Sequence, residues 1–332
     1  MDTAALPLDA ARWSPPKPPP FAGVYARNER LARAELWPAT AHGPEDVNLD
    51  AEGRLVTGVV TGELLVFPKG GGAPRIFART GGRPLGIERY DDAFVVCDAR
   101  VGLLRVDLQG RVETLARSYE GRPFRFCNNA CVARDGTVYF TDSSTRHGIE
   151  QFRLDLLEHQ PRGRLFAYDP KTRDVRLVKD GLYFANGVAL SRDESFLVVA
   201  ETSMYRLLRV WLRGPRAGQT EVFVENLPGF PDNISSTGRG VFWVALPAPR
   251  NAALDTLAPH PWARRVVARL PERLQPQPQR YGFVLAIDED GNVVENLQDP
   301  SGRLAELTGA REHDGRLYIG SLTETAVAVV DL

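Results

Sequence analysis

The chain has 332 residues, 43 % apolar and 25 % charged, with a formal net charge of −1. This is the composition of a globular protein with a large core, and it excludes a disordered chain. The near-neutral balance also argues against a nucleic-acid binder, and no apolar run reaches the length needed to span a membrane.

Residues 1–20 end in a proline-rich run from Pro15 to Pro20 and lack the basic and apolar regions of a signal peptide, so they read as an extended arm. From residue 21 to 332 the chain reads as a single domain. Short apolar runs alternate with Gly, Asp and Pro: residues 54–60, 64–67, 93–98, 137–142, 164–169, 196–201, 241–246 and 316–321. These are strand signatures, with turn pairs such as Asp135-Gly136 and Asp290-Gly291 between strands. The fold class is all-β. Three cysteines, Cys97, Cys127 and Cys131, are too few and too odd for a disulfide framework and point to a reducing, cytoplasmic compartment.

A helical pattern stands out at residues 254–274, where Trp262, Val266 and Leu270 recur at i, i+4, i+8 and Arg264, Arg265, Arg269 and Arg273 face elsewhere. A lid, a membrane-surface helix and packing against a rim all fit this short helical insertion.

A repeat organises the rest. Glu45, Asn128 and Asp232 are each followed eight residues later by a glycine (Gly53, Gly136, Gly240), and Asn186 by Glu194. An apolar run opens directly after each. Two further copies, around residues 83–98 and 307–321, fit with small shifts. Six units at blade-sized spacing predict a six-bladed β-propeller. Equivalent positions on its innermost strands converge on the central axis, so Glu45, Asn128, Asn186 and Asp232, with Asn233 beside the last, bring oxygen donors to one point. Two carboxylates and three amides, without Cys or His, suit one Ca²⁺ in the channel better than Zn²⁺. Phe126, Phe184 and Phe230 each precede a donor by two residues, which predicts an aromatic collar that packs substrate. His147 and His313 are the histidines placed nearest, His147 as a substrate contact and His313 as an acid–base helper.

The segments "GRPLGI", "YFTDSSTR", "GRLFAYDP", "GLYFANGVALS" and "EHDGRLYIGS" resemble the strictosidine-synthase-like family, in its adipocyte plasma membrane-associated branch. The wider superfamily of paraoxonases and gluconolactonases consists of six-bladed propellers with calcium in the channel. The resemblance implies the same five calcium ligands. It also exposes departures. Thr308 stands where condensing members carry a catalytic glutamate, and Leu85 where paraoxonases carry a histidine. Asp46 matches one ligand of a second, structural calcium, but Asn129 replaces another, which argues against a second ion.

The function expected from these residues is calcium-dependent hydrolysis of a small ester or lactone, with Asp232 taking part in catalysis. Two alternatives remain: a calcium-stabilised binding scaffold without catalysis, and a condensing enzyme.

Overall fold

A computed structural model describes residues 8–332, so the first seven residues of the arm lie outside the described part. The protein is a six-bladed β-propeller. Six four-stranded antiparallel sheets stand around one axis, with an extra two-stranded hairpin between blades 2 and 3. The innermost strands are Val47–Leu49, Pro84–Tyr90, Cys127–Val132, Ala185–Leu190, Ile234–Ser236 and Leu307–His313. The ring closes by mixing chain ends. Strand Glu35–Pro38 pairs antiparallel with Ala326–Asp331 as the outer strand of blade 6, so the last sheet forms only after the whole chain is in place.

The core is divided into clusters lying between consecutive blades. Val56, Leu64, Ile87 and Phe94 fill the gap between blades 1 and 2. Phe196, Val198, Phe242 and Leu285 fill that between blades 4 and 5. A middle strand is therefore buried on both faces. This explains runs such as "FLVVAE" and "AFVVCD", which do not alternate apolar and polar residues as a sheet with one wet face would. All three cysteines are free and buried.

Near the axis the blades alternate. Blades 2, 4 and 6 carry a glycine after the inward-facing residue (Gly86, Gly187, Gly309), while blades 1, 3 and 5 carry a polar side chain there (Asp46, Asn129, Asn233). A Cβ on Gly86 would lie 2.6 Å from the Asn129 Cα, and one on Gly309 2.6 Å from Asp46 Oδ1. The glycines admit their neighbours. Asp46 Oδ2 then accepts from the Ile87 N–H at 3.0 Å, and Asn129 Oδ1 from the Val188 N–H at 3.0 Å, each clasping the next inner strand. The repeat position eight residues after each donor is the turn out of that strand. Gly53, Gly136, Gly240 and even Glu194 all have positive φ there.

The helical expectation needs correction. Residues 254–274 do not form one helix: α2 (Ala252–Leu257) and α3 (Pro261–Val267) are separated at His260, and a 3-10 turn (Glu272–Leu274) follows. Pro261 opens α3 at its first turn and Pro271 blocks its continuation, because proline disfavours helical backbone in the residue before it. A helix not expected from sequence, α1 (Phe152–Glu158), rises from blade 3 against α3. Among the described residues no helix is long and apolar enough to cross a membrane.

If the glycines are what let the inner strands meet, Gly187→Ala, whose Cβ would collide with the backbone of Asp232–Ile234, should cost about 1–3 kcal/mol. Urea denaturation checks this.

Candidate functional site

The structure brings Glu45, Asn128, Asn186, Asp232 and Asn233 together at the axis. All five are buried, and the first four line one cavity of about 190 Å³. Local irregularity aims them. The pairing of the inner strand breaks register between Cys127 and Ala130 and between Ala185 and Val188, around Asn128 and Asn186. Such bulges redirect a side chain out of the pleat.

Hydrogen bonding decides which end of each amide faces the axis. The Ser143 hydroxyl donates its single proton to the Ala185 carbonyl at 2.7 Å, so toward Asn128 it can only accept, and Asn128 Nδ2 lies 2.9 Å away. Thr202 repeats the device one blade on: its hydroxyl donates to the Pro231 carbonyl at 2.7 Å and faces Asn186 Nδ2 at 3.3 Å. Asn233 Nδ2 donates to Glu45 Oε1 at 3.0 Å. With the donor ends tied, four buried oxygens are left without a hydrogen-bond partner: Asn128 Oδ1, Asn186 Oδ1, Asn233 Oδ1 and Glu45 Oε2. An unsatisfied buried acceptor costs about 1–3 kcal/mol. Four such acceptors on neighbouring inner strands are the kind of donor set a hard cation takes.

The carboxylates carry the same message. Burial, then the charges of Asp232 and Asp46, push the Glu45 pKa well up. Burial, with Asp46 adding and a hydrogen bond from Asn186 opposing, pushes Asp232 to about 8. A positive charge beside either acid would favour its ionised form. The donor set fits calcium, being all hard oxygen. It is built mainly from amides, and among the described residues no cluster of three or more His, Cys, Asp or Glu forms a metal site. The Asp46 carboxylate is spent on the Val47 and Ile87 N–H groups, so its role here is to join blades 1 and 2.

Above this polar floor the walls are apolar. Phe126 and Phe184 meet edge to face at 5.5 Å, and with Leu85, Ala99 and residues of α1 they form one cluster. Phe230 also lines the cavity, so the aromatic collar exists as a wall. The insertion contributes Leu254, Ala258 and the buried Arg264 to the rim. Its other face is open: Trp262 is 68 % and Val266 53 % exposed.

The two histidines do not join the site. His313 ends its inner strand at the far hairpin, 40 % exposed and 3.4 Å from Asp314. Thr308 lines the cavity at the other end of that strand, and five residues at ~3.3 Å each put His313 about 16 Å away. The expectation failed because an inner strand runs the length of the channel and only its first residues reach the cavity. His147 is buried beneath α1 with Nε2 3.1 Å from Glu158 Oε2, outside the cavity lining. Instead the rim holds His159, Tyr205 and Trp13, and a further carboxyl, Glu306. Their sequence signal was weak: His159 owes its place to a left-handed backbone (φ 50°) after α1, not to any motif.

A Strictosidine synthase family pattern matches residues 128–215, and a Strictosidine synthase-like N-terminal pattern residues 23–67. The Adipocyte plasma membrane-associated protein of Rattus norvegicus is 36 % identical over 351 residues, covering 98 % of this chain and 93 % of that protein. The chain belongs to the strictosidine synthase-like family. Another relative, Strictosidine Synthase-Like 13 of Arabidopsis thaliana, is 39 % identical over 68 % of this chain and 58 % of its own. In fold, this family member is similar to a gluconolactonase from Xanthomonas campestris (TM-score 0.65, 18 % identity, 98 % of this chain and 96 % of that one). It is also similar to a calcium-binding regucalcin from Agrobacterium tumefaciens (TM-score 0.61, 15 % identity, 88 % and 90 %). Within the family fold Thr308 does structural work, its hydroxyl donating to the Glu45 carbonyl at 2.6 Å.

Removing the Ser143 hydroxyl leaves the Asn128 amide and the Ala185 carbonyl short of a partner. Ser143→Ala is expected to lower stability by about 1–3 kcal/mol, read from urea denaturation in EDTA so that metal plays no part.

Proposed function

We propose that this protein is a calcium-dependent hydrolase of small apolar esters or lactones. The observation that carries the reading is the set of partnerless buried oxygens of Glu45, Asn128 and Asn186, which line the floor of an apolar cavity, with that of Asn233 beside Glu45. Glu45, Asn128, Asn186, Asp232 and Asn233 would hold the ion. When bound, it supplies Lewis-acid polarisation of a carbonyl and stabilises charge developing on its oxygen. The rest falls to the chain. Phe126, Phe184 and Phe230 pack the apolar body of the substrate and keep bulk water out. Asp232 takes a proton from the attacking water at the carboxylate oxygen that Asn186 does not engage, and returns it to the alcohol oxygen as the acyl C–O bond breaks. The solved neighbours named as a gluconolactonase and a calcium-binding regucalcin support this reading. Condensing chemistry is the weaker alternative, because the residue at its catalytic position is Thr308, whose hydroxyl is committed to a backbone carbonyl.

The exposed stripe supports a second element of the reading, a membrane-surface location on the cytoplasmic side. Trp262, Val266, Leu270 and Leu274 face solvent, and the flanking Arg269 and Arg273 have no carboxylate partner among the described residues. An apolar stripe edged with arginine suits an anionic bilayer surface. The relatives are named plasma membrane-associated, and the three free, buried thiols fit a reducing compartment.

Calcium dependence, an Asp232 variant and vesicle binding test these readings. Hydrolysis of aryl esters and lactones should vanish in EDTA and return with Ca²⁺, and calcium at about 1,000 times its Kd should add about 4 kcal/mol of stability. Asp232→Asn should lower kcat/KM at least about 100-fold. Calcium binding with no turnover on any substrate would instead favour the scaffold. Sedimentation with phosphatidylserine vesicles should be lost in Trp262→Ser/Val266→Ser, with the fold intact; equal sedimentation of variant and parent overturns the membrane reading.

A further inference from the structure

Residues 8–20 carry no regular secondary structure, yet they are held at nearly every step. Asp9 pairs with Arg162 at 2.6 Å, and its N–H donates to Glu158 Oε1 at 2.9 Å. The Ala11 N–H donates to the Glu158 carbonyl at 2.8 Å, and the Trp13 N–H to the Ala258 carbonyl at 3.3 Å. The Arg264 guanidinium donates to the Ala11 carbonyl. Further along, Arg250 donates to the Pro16 carbonyl at 2.7 Å and Asn226 to the Lys17 carbonyl at 2.9 Å. The arm thus ties α1 of blade 3 to the insertion of blade 5, the two elements that build the rim. Ordering each residue costs about 1–2 kcal/mol of backbone freedom, and less at the prolines that fill this stretch.

The side chain delivered by this path is Trp13. It lines the cavity and is half-buried. Its indole stacks on the His159 ring with centroids 4.1 Å apart and planes 14° apart, and lies 5.6 Å from the Tyr205 ring. Tyr205 meets Phe230 edge to face at 4.9 Å, and Phe230 stands two residues before Asp232. A continuous aromatic surface therefore runs from the arm down to the oxygen cluster. His159 also meets the Tyr183 ring at 4.9 Å. Burial, with the charges of Arg264 and Arg206, holds its pKa down at about 3, so the stack is between uncharged rings. The indole is thus braced by contacts with His159 and Tyr205.

We propose that Trp13 is a specificity-determining residue of this pocket: carried in by the N-terminal arm and braced by His159 and Tyr205, it limits the length of the apolar group that a substrate can place above the oxygen cluster. This rests on the hydrolase reading and names the substrate class within it, esters or lactones with a short acyl or compact aryl group. An indole across the mouth stops a long chain, whereas alanine opens the path toward solvent beneath the arm.

The test uses the full chain with Ca²⁺ and p-nitrophenyl esters from acetate to decanoate. In Trp13→Ala the ratio of kcat/KM for decanoate to that for acetate should rise about tenfold or more, carried by KM rather than kcat. Trp13→Phe, which keeps a ring there, should stay near the parent ratio. An unchanged ratio, or a parallel loss on every ester through kcat, overturns the proposal. If the parent protein hydrolyses no ester the hydrolase reading falls, and the pocket is probed directly with methyl ketones from butanone to 2-decanone by calorimetry. Trp13→Ala should then move the tightest binding to longer ketones, and an identical chain-length profile in both proteins overturns the role of Trp13.

Discussion

Three amide side chains at the axis have their donor ends occupied, and the chemistry of this protein follows from that constraint. An amide is a donor and an acceptor joined rigidly back to back, so tying the NH₂ of Asn128 to Ser143 and that of Asn186 to Thr202 turns both oxygens to the same place. The tie is possible because each hydroxyl has already given its proton to a carbonyl at the start of the next blade. The bonds that hold neighbouring blades together are therefore the bonds that orient the site. Stability and site geometry share atoms here, and the four unpartnered oxygens are tolerated because the surrounding ring leaves them nowhere to turn.

Around this floor the propeller has assembled a pocket from parts that the repeat does not supply. α1 comes from a long connection in blade 3, α2 and α3 from the insertion in blade 5, and Trp13 from the arm. Each is anchored to another through backbone carbonyls: Arg264 reaches both Leu157 and Ala11. A rigid ring that carries its polar cluster at the axis and its cavity walls on appended loops follows a common division of labour. The polar floor lies under apolar walls, so charge at the floor is poorly screened and felt strongly by anything bound above it.

The repeat was legible because radial symmetry forces equal spacing between residues doing equal jobs. Glu45, Asn128, Asn186 and Asp232 could be named from their offset to a turn, and that turn proves to be a left-handed residue in each copy. The alternation of Gly86, Gly187 and Gly309 with Asp46, Asn129 and Asn233 was equally open to view, but its meaning was not: glycine after an inward residue looks like any turn former until the neighbouring strand is seen against it. His313 misled because nearness to a motif along a strand is not nearness in space when the strand runs along the channel. The helical periodicity of residues 254–274 was real in its exposed face, while Pro261 and Pro271 cut it into pieces.

The sequence by itself determined the all-β class, the number of blades, the oxygen donors and the family, because all of these are written in local pattern and period. Only the tertiary structure decided which end of each amide meets the axis, that Asp46 clasps a strand, and that Trp13 and His159 stack together in the cavity wall. Those outcomes depend on hydrogen-bond partners and ring contacts far apart in the chain, such as Trp13 with His159 or Asn233 with Glu45. No spacing along the sequence encodes them; they exist only once the ring has closed.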